Sequence, residues 1–464
     1  MFKAFMTNSS GILFSRILGF IRDLLTASTI GANIYSDIFF VAFKLPNLFR
    51  RIFAEGAFSQ AFLPAFIKTK EKGRFASLIL IRFLSFILFL TLLVMLLAPF
   101  ITKLIAFGFD EKTITLATPL VRINFWYLPL IYIVTFLSAL LHFKGHFATT
   151  AYSTALLNIA MIVALLFSNP NEPQNGVYYL SIGVIVGGIL QLMTHLIAIK
   201  RKRVWRVLKV GLFKFKEKKR NYKEFYKNFW HSVLGNSTAQ LASFIDTWLA
   251  SFLVSGSISY LYYSNRIFQL PLALFAIALS ISLFPKIAKQ VNKKEVESAN
   301  KTLKDGFWVL AFLLLPSTVG GYMLAPEIVK ILFERGAFLK EDSLQTAKVL
   351  QMYLIGLAPF GLSRLFSLWL YSMGLQAKAA KISAISLILN IILSILLISP
   401  YGASGLALAS SISGFLLFIL TIKAYGTKKF LAILHLKQIA ILAIVLILEI
   451  FLLTIFKEIL NAYL

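Results

Sequence analysis

The sequence predicts an all-α polytopic membrane protein: two six-helix lobes, arranged as parallel repeats around a central cavity, with one extra C-terminal transmembrane helix. Three observations predict it. Hydrophobic residues fill 58% of the 464 positions and charged residues 14%, with a mean hydropathy of +0.80, far from a soluble domain. Apolar stretches recur at about the 20-residue length that crosses a ~30 Å hydrocarbon layer. The chain also repeats itself.

Thirteen segments are predicted, spanning 4 to 30, 34 to 66, 76 to 100, 114 to 142, 146 to 168, 177 to 199, 226 to 253, 258 to 286, 303 to 325, 343 to 373, 376 to 399, 403 to 424 and 433 to 457. The second is long enough that Pro46 or Gly56 is expected to bend it. Arg16 interrupts the apolar run of the first segment, which therefore reads as a retained helix rather than a cleaved leader.

With the N-terminus inside, the cytoplasmic loops carry 29 Lys or Arg and the opposite loops five, a strong positive-inside asymmetry. The formal charge of +28 is thereby mostly a matter of topology, and nucleic acid loses its case as a partner. The basic run 200 to 223 reads as an interfacial helix on anionic lipid or a solvated linker.

The repeat appears in short matches. "APFITKLIAFGF" at Ala98 resembles "APEIVKILFERGAF" at Ala325, and the segments ending at Pro64 and Pro285 correspond. The stretch around Asn158 parallels that around Asn390, and Gly176 and Gly188 parallel Gly402 and Gly414. Six segments per repeat return the chain to its starting side, so the halves are parallel, as in two-lobed secondary transporters. The expected division is a lobe over 1–199, a basic linker over 200–225, a second lobe over 226–425 and the extra helix within 426–464.

Several chemistries are excluded or disfavoured. There are no cysteines, hence no disulfides, thiolate nucleophiles or Cys-ligated zinc. Five scattered histidines form no HExxH pair, and no GxxxxGK[ST] loop is present.

The informative charges lie in the first two segments. Arg16 and Asp23 are seven apart and share a helix face, with Arg22 roughly 120° away. Asp37, Lys44, Arg51 and Glu55 form one stripe if the second helix is continuous, while Arg50 points elsewhere. Intramembrane charges are costly and face one another or a cavity. Mutual neutralisation accounts for some of them, but Arg and Lys outnumber Asp and Glu. The surplus points to an anionic ligand, for which arginine suits phosphate or carboxylate. The second half offers Arg266 beside Asn265 and Gln269, with Arg364 and, in the first half, Arg122 on later helices. Asp246 is a lone mid-helix carboxylate: either bonded to nearby hydroxyls, or a cation or proton site.

The segments "SRILGFIRDLLTASTIGA", "SDIFFVAFKLPNLFRRIFAEGAFSQAFLP", "SGSISYLYYSNRIFQLP" and "LFERGAF" resemble signature regions of the MurJ lipid II flippases, within the multidrug/oligosaccharidyl-lipid/polysaccharide exporter superfamily. The resemblance spans about residues 2 to 425 and implies a non-enzymatic carrier of the undecaprenyl-diphosphate-linked peptidoglycan precursor between the leaflets of the bacterial cytoplasmic membrane. It implies substrate-binding roles for Arg16, Arg22, Asp23, Asp37, Arg50, Arg51, Glu55 and Arg266. It further implies a possible sodium site at Asp246 and Asn390, with Ser394 where another carboxylate is expected, and coupling to sodium, protons or membrane potential. Asn265 and Gln269 stand where many members carry acids, and one extra helix is found where the family is described with two. A monomer is expected, with lipid II and membrane lipids as its partners. The alternatives are a flippase for another lipid-linked oligosaccharide, a cation-coupled drug exporter of the same superfamily, a membrane transferase and a wall-synthesis scaffold. The cationic surplus counts against a drug exporter, the duplication against a transferase, and the charged stripe against a scaffold.

Overall fold

The computed structural model describes residues 2–50, 57–206, 208–209 and 223–463, and among these residues all regular structure is helical. Contacts divide the chain into two compact units: Met1–Gly256 with Arg335–Phe338, and Ser257–Glu334 with Leu339–Leu464.

The first unit holds α1 (Phe2–Ile30), α2 (Ile34–Phe49), α3 (Ala57–Lys68), α4 (Lys72–Leu96), α5 (Ala98–Ile105), α6 (Glu111–Phe125), α7 (Tyr127–Phe143), α8 (Ala148–Leu166), α9 (Pro173–Arg201) and α10 (Lys223–Ala250). Helix starts follow from side-chain caps. Asn33 accepts the Tyr35 N–H at 2.9 Å while Ser36 Oγ accepts the Asn33 N–H, and Asp110 accepts the Thr113 N–H at 2.9 Å. Hydrogen bonds from the Thr113 side chain and then its N–H hold the exposed Asp110 carboxyl below its ordinary pKa.

The duplication assigns segment 226 to 253 to the second half, yet its contacts lie with the first unit. Phe225 and Phe229 meet Phe75 and Phe83 of α4 edge to face, Gly108 donates to Ser251 Oγ at 3.0 Å, and Phe58, Phe62 and Phe136 extend the aromatic core. Each such ring pair adds about 0.5–1.5 kcal/mol beyond area burial.

The second unit comprises α11 (Ser257–Pro271), a π turn (Leu272–Ile277), α12 (Ala278–Asn292), α13 (Val296–Met323), α14 (Ala325–Phe333), α15 (Lys340–Ile355), α16 (Leu357–Ser372), α17 (Gln376–Tyr425), α18 (Thr427–Leu431) and α19 (Leu436–Tyr463). Among the described residues, nine helical stretches are long and apolar enough to cross a membrane. α19 is the most apolar, tied to its unit by Lys457 on Glu327 at 3.2 Å, and the Trp308 indole holds the turn that precedes it through Ile433 O at 3.1 Å.

Several predicted segments are interrupted. Segment 114 to 142 breaks at Trp126 and segment 343 to 373 at Gly356, each three residues before a proline, Pro129 and Pro359. Proline lacks the N–H that would bond the fourth residue back, so the preceding turn tightens to three-residue bonds, Trp126 N to Ile123 O and Gly356 N to Tyr353 O. Matching breaks 230 residues apart add a point of register to the duplication. The "AP" repeats begin α5 and α14, short helices where loops were expected. Segments 376 to 399 and 403 to 424 join in α17 with one non-helical residue between them, Gly402, at φ 57° and ψ −134°. Hydroxyl Ser386 bonds Ser413 O, and the Asn390 amide bonds Ser410 Oγ, so the two arms are antiparallel. Of the long second segment, 34–49 is helical with Pro46 inside it, and α3 follows from 57. Gly56 lies outside the described residues.

Candidate functional site

Close helix crossing creates the setting for the charges. Gly11 of α1 lies against Ala151 of α8, where a Cβ would come within 2.7 Å, and Gly19 faces the Asn158 amide. Gly183 and Gly187 let α9 approach the same helix. With α1 and α8 so near, Arg22 Nη1 donates to Asn158 Oδ1 at 3.0 Å and contacts Met161 Sδ at 3.7 Å. The Asn158 amide nitrogen donates in turn to Ser15 O at 2.9 Å.

The same guanidinium curls onto its own neighbour. Arg22 Nη2 and Nε reach Asp23 Oδ1 at 2.6 and 3.1 Å, with Arg22 7% and Asp23 2% exposed. Asp23 thus pairs with Arg22, although Arg16 shares its helix face. Arg16 is exposed and, among the described residues, makes no hydrogen bond or ion pair.

Charges of the second segment reach other elements. Asp37, 2% exposed, accepts the Gly256 N–H at 2.7 Å, and Lys44 Nζ donates to Ser243 Oγ of α10 at 2.6 Å. Arg50 caps α2 and forks Nε and Nη2 onto Asn47 Oδ1 at 3.0 and 2.9 Å. Arg51 and Glu55 lie outside the described residues. The first unit therefore brings Arg22 and Asp23 together, sends Asp37 and Arg50 to separate partners and leaves Arg16 exposed. Asn158 and Met161 are contacts that sequence reasoning missed; an asparagine inside an apolar helix was their one visible signal.

Four residues of the loop after α14 close on the end of α1. The Ala337 N–H donates to Ser28 O at 2.7 Å, while Gly336 (φ 60°) abuts Ser28 O and Gly31 (φ 80°) abuts Ala337 O. A side chain at either glycine would strike backbone, which fits the glycine of "LFERGAF".

In the second unit, Arg266 Nη2 donates to Tyr262 OH at 2.8 Å and lies 5.0 Å over that ring, while Gln269 bonds Asn265. Arg122 and Arg364 are exposed in their respective units.

The sodium candidates are divided between units. Asp246 is half-buried on α10, its Oδ1 lacks a hydrogen-bond partner among the described residues, and the Lys44 charge reaches it. On α17, Asn390 Oδ1 and Ser394 Oγ are buried, one turn apart, and equally without partners. Oxygen donors of this kind suit a hard cation. Among the described residues no cluster of three His, Cys, Asp or Glu is found.

A family profile described as "Lipid II flippase MurJ" matches residues 26–463. A "Probable lipid II flippase MurJ" of Helicobacter pylori strain J99 is 51% identical over 445 residues, covering 93% of this chain and 97% of that protein. The chain belongs to the MurJ lipid II flippase family. A solved structure described as "Lipid II flippase MurJ, inward closed conformation" superposes with a TM-score of 0.80 at 27% identity, over 98% of this chain and 99% of the other. An inward-facing multidrug resistance MATE family transporter of the MOP superfamily superposes at 0.70 with 13% identity, over 90% of this chain and 95% of that one, which shows a shared fold alone. The MurJ family membership thus covers the buried Asp37 and both units, and only the first 25 residues, including Arg16, Arg22 and Asp23, precede the profile match.

Proposed function

We propose that this chain is a lipid II flippase, moving the undecaprenyl-diphosphate-linked peptidoglycan precursor from the inner to the outer leaflet of the bacterial cytoplasmic membrane by alternating access. The observation that carries this reading is the 51% identity to the Helicobacter pylori protein over nearly both full lengths.

Within it, Arg22, Arg50, Arg51 and Arg266 take the diphosphate, with Arg16 available to the headgroup. Asp23, Asp37 and Glu55 set the geometry of the cationic groups. A diphosphate accepts several charge-assisted hydrogen bonds at once, each roughly twice a neutral one, so it competes well with the Asp23 carboxylate for Arg22. Two lobes rocking about the central cavity, a cytoplasmic N-terminus, a monomeric state and no catalytic step complete the proposal. The positive-inside asymmetry supports the orientation and the duplication supports the lobes. An inside-negative potential favours outward movement of an anionic headgroup by about 2.3 kcal/mol per charge per 100 mV. Sodium or proton coupling through Asp246 and Asn390 is consistent with their oxygens that lack hydrogen-bond partners.

The deciding experiment is leaflet-specific labelling of lipid II in flippase-depleted cells. Expression of this chain should restore outer-leaflet labelling; failure to do so, with the protein inserted, rejects the reading.

A further inference from the structure

The first unit carries a cavity of about 610 Å³ on the outer faces of α8 and α9, lined by residues other than Arg22 and its partners. Two helix ends build its rim. α7 closes with Gly145 at φ 70°, the His146 N–H reaching back to Leu141 O at 2.9 Å. α9 closes in the same way with Arg203 at φ 56°, the Val204 N–H reaching Ile199 O at 3.0 Å, a left-handed position that glycine ordinarily fills. These turns put His146 on one side of the opening and Arg201 and Lys202 on the other.

α8 starts at the same opening. It has no side-chain cap among the described residues, its first N–H groups have no partner within the helix, and Thr149 in that turn lines the cavity. His146 Nε2 shares a 2.8 Å hydrogen bond with Thr149 Oγ1, and partial burial together with the Lys202 charge lowers the imidazole pKa below its ordinary value. Among the described residues none that lines the cavity is acidic. The rim is therefore a concentration of positive potential.

The wall below it is mostly apolar, with Ser153 and Thr194 as its hydroxyls. Leu156 and Ile197 line the cavity, and the outward faces of α8 and α9 continue from it as exposed Ile159, Val163 and Met193. A free anion needs only the rim, whereas a molecule with a phosphate at one end and alkyl chains at the other uses both. We propose that this groove is a binding site for an anionic phospholipid: its phosphate sits among His146, Arg201, Lys202 and the first turn of α8, and an acyl chain runs along Leu156 and Ile197. The site is independent of the transport reading, since it uses none of the residues assigned to the transported headgroup.

The test uses the full chain in phosphatidylcholine vesicles containing a minor fraction of phosphatidylglycerol with a photoactivatable acyl chain, and maps labelled peptides by mass spectrometry. Labelling should concentrate on α8 and α9, and fall by about tenfold there in Arg201→Gln/Lys202→Gln, given the attraction each basic residue exerts on anionic lipid. It should persist in Arg201→Lys. Unlabelled phosphatidylglycerol should compete, and excess inorganic phosphate should not. Labelling of α19 in the same sample controls for insertion of the variants. Even labelling of all lipid-facing helices, or no change in the double variant, overturns the proposal. Loss of labelling to inorganic phosphate overturns it too, making the rim a site for soluble anions.

Discussion

Asn158 and Asn390 hold matching places in the duplication, and their surroundings have diverged. Asn158 accepts from a buried arginine that is itself paired with a buried carboxylate, while Asn390 donates to the hydroxyl of Ser410. One scaffold thus hosts a charged network in the first unit and a neutral one in the second. A buried ion pair adds little net stability, because desolvation offsets attraction, yet losing one partner is expensive. At this pair of matching positions the first unit carries that vulnerability and the second does not.

The sharpest way to break this contrast is Arg22→Ala. It leaves Asp23 buried with its main cationic partner removed and should lower stability by about 3–5 kcal/mol, read as a large fall in thermal unfolding temperature in detergent. Growth of flippase-depleted cells should not be rescued. Arg22→Ala/Asp23→Asn should regain most of the stability without regaining growth, and normal growth of that double variant would reduce Arg22 to a packing role.

Asn158→Ala comes next. It removes a bond to a charged group, worth roughly 1.5–3 kcal/mol, and should impair growth in proportion. Its counterpart Asn390→Ala removes one neutral bond and should cost about 1 kcal/mol; equal losses at the two positions would erase the distinction between the units. Smallest in stability is Arg16→Ala, expected within about 0.5 kcal/mol because Arg16 is exposed and makes no hydrogen bond or ion pair among the described residues. A strong growth defect in that variant, with unfolding unchanged, would mark Arg16 as serving the cargo rather than the fold.

Much of this molecule was legible from sequence because a membrane enforces long apolar segments and a duplication leaves paired prolines and asparagines. The family resemblance is borne out by the profile match over residues 26–463 and by the 51% identical relative. Other features were not legible, for definite reasons. Adjacent helical residues point about 100° apart, so nothing in the spacing of Arg22 and Asp23 announces that a long guanidinium can fold back onto its neighbour. The breaks at Trp126 and Gly356 come from prolines three residues further on, inside stretches long and apolar enough overall to read as single spans. The seventh segment joins the first unit through ring packing between distant phenylalanines, which a repeat count cannot see.

The single-residue bend at Gly402 has a practical consequence for anyone handling the protein. A Cβ there would meet nothing within 4 Å, so the demand for glycine comes from the backbone angles and not from space. The Gly405 backbone meanwhile abuts Leu397 across the bend. An epitope tag or protease site, routinely placed in the loop between two membrane spans, has no loop to enter here. Such a reporter should be put after Tyr425, where Gly426 ends the helix at φ 120° and the chain is already turning.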